Sequence, residues 1–186
     1  MVLAHEVKLS KRYMTGWVGH LPAEGFLVVV STQPAFVDHV VKGRILAALV
    51  EKYCGKRCVG LMGFSMGGLT TLLAATHTPV NVWVGLDPVD INGKGKVAAA
   101  KLKVPAAFLL AEPQAWNMHG NANGMIEAIP SEKHVFRVFG GTYLDAEWPT
   151  DLLGQLVCGL VDEKRQQQLR DKATEFLVAR LQGPPS

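Results

Sequence analysis

Residues Gly63-Phe64-Ser65-Met66-Gly67 spell G-x-S-x-G, and their flanks restrict what the pentapeptide can be. Residues 57–62 before it read as a short buried strand, and residues 69–75 after it read as a helix. A serine on the sharp turn between a strand and a helix sits on strained backbone. Its hydroxyl is exposed beside the free amides of the helix start. Gly63 and Gly67 suit such a turn because a side chain at either would collide with the neighbouring strand or helix.

The rest of the chain alternates apolar runs with amphipathic stretches. Residues 1–4, 25–30, 57–62, 80–86, 105–111 and 134–139 read as strands. Residues 11–21 read as a helix closed by Pro22. Asp38 is placed to cap a helix to about Tyr53, with Val41, Ile45, Leu49 and Tyr53 on one face and Leu46 and Val50 beside them. Residues 97–102 suggest a short helix. Thr150 or Asp151 caps another to about Leu160. A last helix runs from about Asp162 to Leu181, with Leu169, Ala173, Phe176, Leu177 and Leu181 as its buried stripe, and Gly183-Pro184-Pro185 stops it. This order implies an α/β fold: a mostly parallel twisted sheet with helices on both faces, in a single domain.

In a parallel sheet every strand's carboxyl end lies on one edge, and ligands bind there. That edge gathers His5-Glu6-Val7, Ser31-Thr32-Gln33, Ser65, residues 87–90, residues 112–119 and residues 140–145. Ser65 is the candidate nucleophile of a serine hydrolase. Its oxyanion hole would use the N–H of Met66, and a second N–H from Val7 or Glu6. Turned inward, the Glu6 carboxylate would oppose developing negative charge; turned to solvent, it is an ordinary loop residue. The acid is expected at a later strand tip, where Asp87 comes first and Asp90 second. Asp before Pro also starts ordinary turns. The base is expected after the last strand, yet Phe139-Gly140-Gly141-Thr142-Tyr143-Leu144-Asp145 contains no histidine.

Composition removes several other readings. The 186 residues are 48% hydrophobic with a net charge of +3, enough for a real core and without a basic stripe interleaved with aromatics, so nucleic acid is not the expected partner. No apolar run approaches a membrane span. No secretory leader pattern is seen, although Met1 runs directly into core-like residues, as if a segment were missing upstream. The three cysteines, Cys54, Cys58 and Cys158, form no metal-site spacing and are expected to be reduced, buried thiols in a cytoplasmic setting. No metal or cofactor is expected.

With these residues in view, the chain resembles the α/β-hydrolase fold over nearly its whole length. Within that fold it resembles the chlorophyllase-like and related bacterial esterase/lipase-like hydrolases. Val2-Leu3-Ala4-His5 resembles the third strand and oxyanion loop, with Glu6 where glycine is usual. Residues 63–68 match the elbow, and Leu86-Asp87-Pro88-Val89 resembles the strand end that carries the acid. Asn117-Met118-His119-Gly120-Asn121 resembles a loop of the bacterial members. Gly141-Thr142-Tyr143-Leu144-Asp145-Ala146-Glu147-Trp148-Pro149-Thr150-Asp151 resembles the segment of the catalytic histidine, and Tyr143 stands at that position. The resemblance implies that the first strands of the fold are lacking, that no cap domain fits between Pro88 and Val104, and that the cleft is open.

Two functions follow. In one, Ser65 forms an acyl-enzyme on a small-molecule ester, with His119 as substitute base; His5 shares that edge. In the other, the chain is a catalytically impaired homologue that retains a binding pocket, because Tyr143 replaces the histidine. A free phenol is ionised in about one molecule per thousand at neutral pH, a cost of roughly 4 kcal/mol. A weaker idea is a homo-oligomer, completed by pairing through the exposed edge of the first strand.

Overall fold

The computed structural model describes residues 2–4, 11–31, 37–55, 57–150 and 152–183. His5, Glu6 and Val7 lie outside them, as do Thr32, Gln33, Asp151, Pro184 and Pro185, so the expected second oxyanion donor and one helix cap are not described.

Six strands form one parallel sheet: β1 (Val2–Ala4), β2 (Val29–Ser31), β3 (Gly60–Phe64), β4 (Val82–Leu86), β5 (Ala106–Leu110) and β6 (Lys133–Arg137). Their order is β2-β1-β3-β4-β5-β6. The expected exposed first strand is therefore corrected. β1 pairs with β2 on one side and with β3 on the other, and the outer strands are β2 and β6. The chain first steps outward from β1 to β2, then crosses back over β1 to β3 and winds the other way. That reversal opens a crevice beside the carboxyl end of β3, where Ser65 follows.

Helices α2 (His39–Cys54), α3 (Met66–Ala75), α4 (Lys94–Ala99) and α5 (Asn123–Ala128) contribute to one core, against the sheet face carrying Leu61, Trp83 and Phe108. Helices α1 (Thr15–Ala23) and α7 (Glu163–Leu181) contribute to the other, against Met62, Val84 and Leu109. The alternation along β3, β4 and β5 is the period-two pattern of strands buried on both faces. α6 (Leu152–Cys158) touches the second core only at its end, where the half-buried Cys158 packs, and fully buries none of its residues.

Several boundaries differ from the sequence reading for identifiable reasons. Pro22 lies inside the last turn of α1 and does not close it, and residues Lys11–Met14 before that helix form a 3-10 turn. The short helix expected at 97–102 is α4, drawn toward the amino terminus because both Asp90 carboxylate oxygens accept from its first turn, at Gly95 N (2.6 Å) and Lys96 N (3.0 Å). α5 has only six residues, too few for the periodicity to register. Cys58 is exposed, against the expectation of three buried thiols, whereas Cys54 is buried.

The face of α2 is corrected in part. Leu46 and Val50 are buried and Leu49 packs on the core, as expected, but Val41, Ile45 and Tyr53 point to solvent, and Lys42, Gly43, Ala47 and Cys54 complete the buried side. The reason is the close crossing of α2 over α3. A Cβ on Gly43 would lie 2.7 Å from Leu73 Cβ and 3.2 Å from the Ala74 nitrogen. The glycine contact turns the helix so that Val41, Ile45 and Tyr53 face outward. Gly43→Ala is therefore expected to destabilise the fold by about 1–3 kcal/mol, despite alanine's better helix propensity. Urea denaturation checks this, and a stabilised variant would contradict the crossing.

Candidate active site

Ser65 adopts φ 52° and ψ −123°, a left-handed conformation costly for a residue with a Cβ. The turn is fixed from both sides. Ser65 N donates to Leu86 O at 2.9 Å, across to the end of β4, and Gly68 N donates back to Ser65 O at 2.9 Å. A Cβ on Gly63 would lie 2.3 Å from Gly67 O, and one on Gly68 would lie 2.7 Å from Pro88 Cβ. The tightest positions are thus Gly63, as the sequence indicated, and Gly68, which faces the proline after Asp87. Met66 is the first residue of α3, so its N–H belongs to the unsatisfied amides of a helix start beside the Ser65 hydroxyl.

Ser65 is only 2% exposed, and its nearest side-chain partner is Tyr143, whose hydroxyl donates to Ser65 Oγ at 2.6 Å. The cleft expected to be open is closed over the serine. Tyr143 is itself buried, and its ring packs on Phe64 with centroids 4.7 Å apart. The position that resemblance assigned to a histidine does reach the nucleophile, carried by a phenol.

The segment Tyr143–Ala146 is a 3-10 turn held by an unusually complete set of bonds. The fully buried Asp145 carboxylate accepts from Thr142 N (2.7 Å), Asp162 N (3.0 Å) and Arg165 Nε (2.7 Å). Trp17 Nε1 of α1 donates to Ala146 O at 2.9 Å, and Gln166 Nε2 of α7 donates to Glu147 O at 2.7 Å. Gly16 N and Trp148 O pair at 2.8 Å, as do Trp148 N and Tyr13 O. Two helices from the far ends of the sequence therefore position Tyr143.

Asp87 follows β4 directly with φ 41°, positive like that of Ser65, and is 3% exposed. Its carboxylate accepts from Ala111 N at 3.2 Å and from Asn117 Nδ2 at 3.0 Å. Burial pushes its pKa up from the ordinary 3.8 to about 6, against the opposing pull of those two bonds and of the Arg137 charge. Asp90, the alternative acid, spends both oxygens on the first turn of α4.

Asn117 went unassigned in the sequence. It is 1% exposed and organises the loop after β5: Nδ2 also donates to Glu112 O (2.9 Å), and Oδ1 accepts from Gln114 N (2.8 Å) and Gly120 N (3.0 Å). Asn121 fastens the same loop to the segment after β4, donating to Asp90 O at 2.7 Å and accepting from Asp90 N at 2.9 Å. The only sequence signal was the density of asparagine and glycine in a loop at a strand's carboxyl end. His119 lies in this loop with φ 56°, exposed, and among the described residues its imidazole makes no hydrogen bond. The structure brings Ser65 to Tyr143 and does not link it to His119. No group of three or more His, Cys, Asp or Glu able to hold a metal ion occurs among the described residues. No helix among them is long and apolar enough to cross a membrane.

A parallel sheet with this reversal and a left-handed serine after β3 defines the α/β-hydrolase fold. Solved structures agree. One is that of DcsB in complex with its substrate analogue, which matches with a TM-score of 0.77 at 12% identity, over 98% of this chain and 90% of that one. A structure from the work on LipS and LipT, two metagenome-derived lipolytic enzymes, matches with a TM-score of 0.69 at 12% identity, over 94% and 91%. The peroxisomal α/β-hydrolase Lpx1 of Saccharomyces cerevisiae matches with a TM-score of 0.67 at 11% identity, over 100% and 77%. No family model matches the sequence, and no curated protein is significantly similar to it. At these identities the likeness establishes the fold.

The raised pKa of Asp87 has a measurable consequence. Between pH 3.8 and about 6 the folded chain holds a proton that the unfolded chain releases. The stabilisation is complete below that window and is lost as pH rises through it, by up to about 3 kcal/mol. The stability of the unaltered chain relative to Asp87→Asn is thus expected to fall between about pH 4 and pH 7. Urea midpoints of both proteins across that range check it, and a flat difference would refute it.

Proposed function

We propose that this chain hydrolyses carboxylic esters through Ser65, and that it does so slowly because a phenol occupies the place of the base. The observation that carries this reading is the left-handed Ser65 at the start of α3 with Tyr143 Oη at 2.6 Å. The reaction class is further supported by similar folds described as lipolytic enzymes and as an acetyl xylan esterase.

In this mechanism Ser65 Oγ adds to the ester carbonyl, and the Met66 N–H receives the developing oxyanion. The alcohol then leaves, and water releases the acid from acyl-Ser65. The serine proton must depart as the C–O bond forms, and the nearest acceptor is Tyr143 Oη. Ionising a phenol at neutral pH costs roughly 4 kcal/mol, and that cost falls as pH rises. Asp87 is the carboxylate that would orient a base at position 143. Its carboxylate oxygens accept from Ala111 N and Asn117 Nδ2.

The chemistry of the group at Ser65 favours a second reading. A phenol keeps its proton at neutral pH, so Tyr143 is a poor acceptor for the proton of the serine it bonds. A chain so arranged would bind an ester-like ligand without turning it over.

Turnover of p-nitrophenyl butyrate, with fluorophosphonate labelling of Ser65, separates the two. The ester-hydrolase reading expects weak activity that is abolished in Ser65→Ala and rises by about tenfold per pH unit above neutrality. Tyr143→His is expected to raise the neutral-pH rate on the order of a hundredfold or more. No labelling and no turnover at any pH would leave the binding reading.

A further inference from the structure

The carboxyl end of α3 borders a cavity of about 340 Å³, which α2 and α4 line from either side. The size is within the usual range of small-molecule sites. Its floor is apolar. Leu73 and Ala98 are buried there and Val40 is half-buried, while Val97 stands 60% exposed at the rim. Basic side chains from three separate stretches line it with them: Arg44 from α2, His77 after α3, and Lys94 and Lys101 from α4 and the turn that follows. Arg44, His77 and Lys101 are exposed, and among the described residues their side chains make no hydrogen bond or ion pair. Lys94 differs. Its ammonium pairs with Asp38, which also caps α2 by accepting from Val40 N at 2.8 Å. The carbonyls at the end of α3 carry the negative end of a helix dipole, and they are already occupied. Leu73 O accepts from Thr76 N and Thr76 Oγ1, and Ala74 O accepts from His77 N and Thr78 N.

We propose that this cavity binds a small soluble phosphomonoester, its phosphate between Arg44 and Lys101 and its apolar organic part on Leu73, Val97 and Ala98. A phosphomonoester carries about two negative charges at neutral pH. Two cations on separate elements can share such a group, and the guanidinium fork offers it paired N–H donors. An inorganic ion would leave the apolar floor wet, and an uncharged hydrocarbon would leave the cations unused. The basic groups surround one cavity, a geometry for a single phosphate and not for a polymer. The cavity lies along α3 from Ser65 by roughly 12–18 Å, at about 1.5 Å of rise per residue. The assignment is therefore independent of the ester-hydrolase reading.

Isothermal titration with phenyl phosphate, beside inorganic phosphate and phenol, tests the assignment. Phenyl phosphate is expected to bind at least about tenfold tighter than either comparator. Arg44→Gln and Lys101→Gln should each weaken it by about tenfold. Both side chains are exposed, so thermal melts should be unchanged. Lys164→Gln, at an exposed cation of α7, should leave the affinity within about twofold. Asp38→Asn should act in the opposite direction. Asparagine keeps the helix cap, and loss of the carboxylate charge frees Lys94, so phenyl phosphate should bind about threefold tighter. Amide chemical-shift changes should gather at Thr76, His77, Asn92 and Val97, and be small at Met66 and Tyr143. Equal affinity for phenyl phosphate and inorganic phosphate, affinity indifferent to Arg44 and Lys101, or shifts centred on Met66 would each overturn the site. Retention on phosphatidic acid vesicles that needs Arg44 and Lys101, without binding of phenyl phosphate in solution, would overturn the soluble ligand in favour of a lipid headgroup.

Discussion

The approach of the Gly63 Cα to the Gly67 carbonyl is the contact on which the site depends. Only a residue without a Cβ fits there, since an added one would stand 2.3 Å from that oxygen. The approach lets the chain turn from β3 into α3 within one residue, and Ser65 absorbs the turn in a left-handed conformation. The same compactness brings Pro88 onto Gly68, so the end of β4 rests against the start of α3. Asp87 consequently sits at its own left-handed position, one residue before the contact. Two backbone strains of about 1–3 kcal/mol each are held by sheet register and by buried packing.

Around that turn the site has two arms of different construction. The acid arm is sewn by amides: Asn117 and Asn121 bind loop backbone to backbone and leave Asp87 among neutral donors in a dry place. Burial therefore dominates its ionisation. The other arm is held by charge. Asp145 meets Arg165 and two backbone amides, and so remains paired although it is wholly buried. Removing one partner of such a set leaves an uncompensated charge, and this fixes the backbone beneath Tyr143 more firmly than packing alone would.

The sequence made Ser65 legible because its pattern is local: strand, glycine, serine, glycine and helix follow one another within sixteen residues. Asp87 and Tyr143 were legible by place, each at the carboxyl end of a strand. What the sequence hid was relational. The rotation of α2 depends on where Gly43 meets Leu73, thirty positions away, and no periodicity within the helix encodes that. The central place of β1 depends on two crossovers in opposite directions, and a three-residue strand says nothing of its neighbours. Asn117 was hidden because a buried asparagine and a solvated turn asparagine look alike until the loop closes around one of them. The open cleft was inferred from the short insert after Pro88, whereas Ser65 is buried and its hydroxyl is bonded by Tyr143.

The Tyr143–Ser65 bond means that the serine already has a ligand, supplied by its own chain. Any molecule that needs Ser65 Oγ competes with a phenol that is permanently present and correctly aimed. If that bond contributes about 0.5–1.5 kcal/mol net, it lowers the apparent affinity of such a molecule by roughly two- to tenfold.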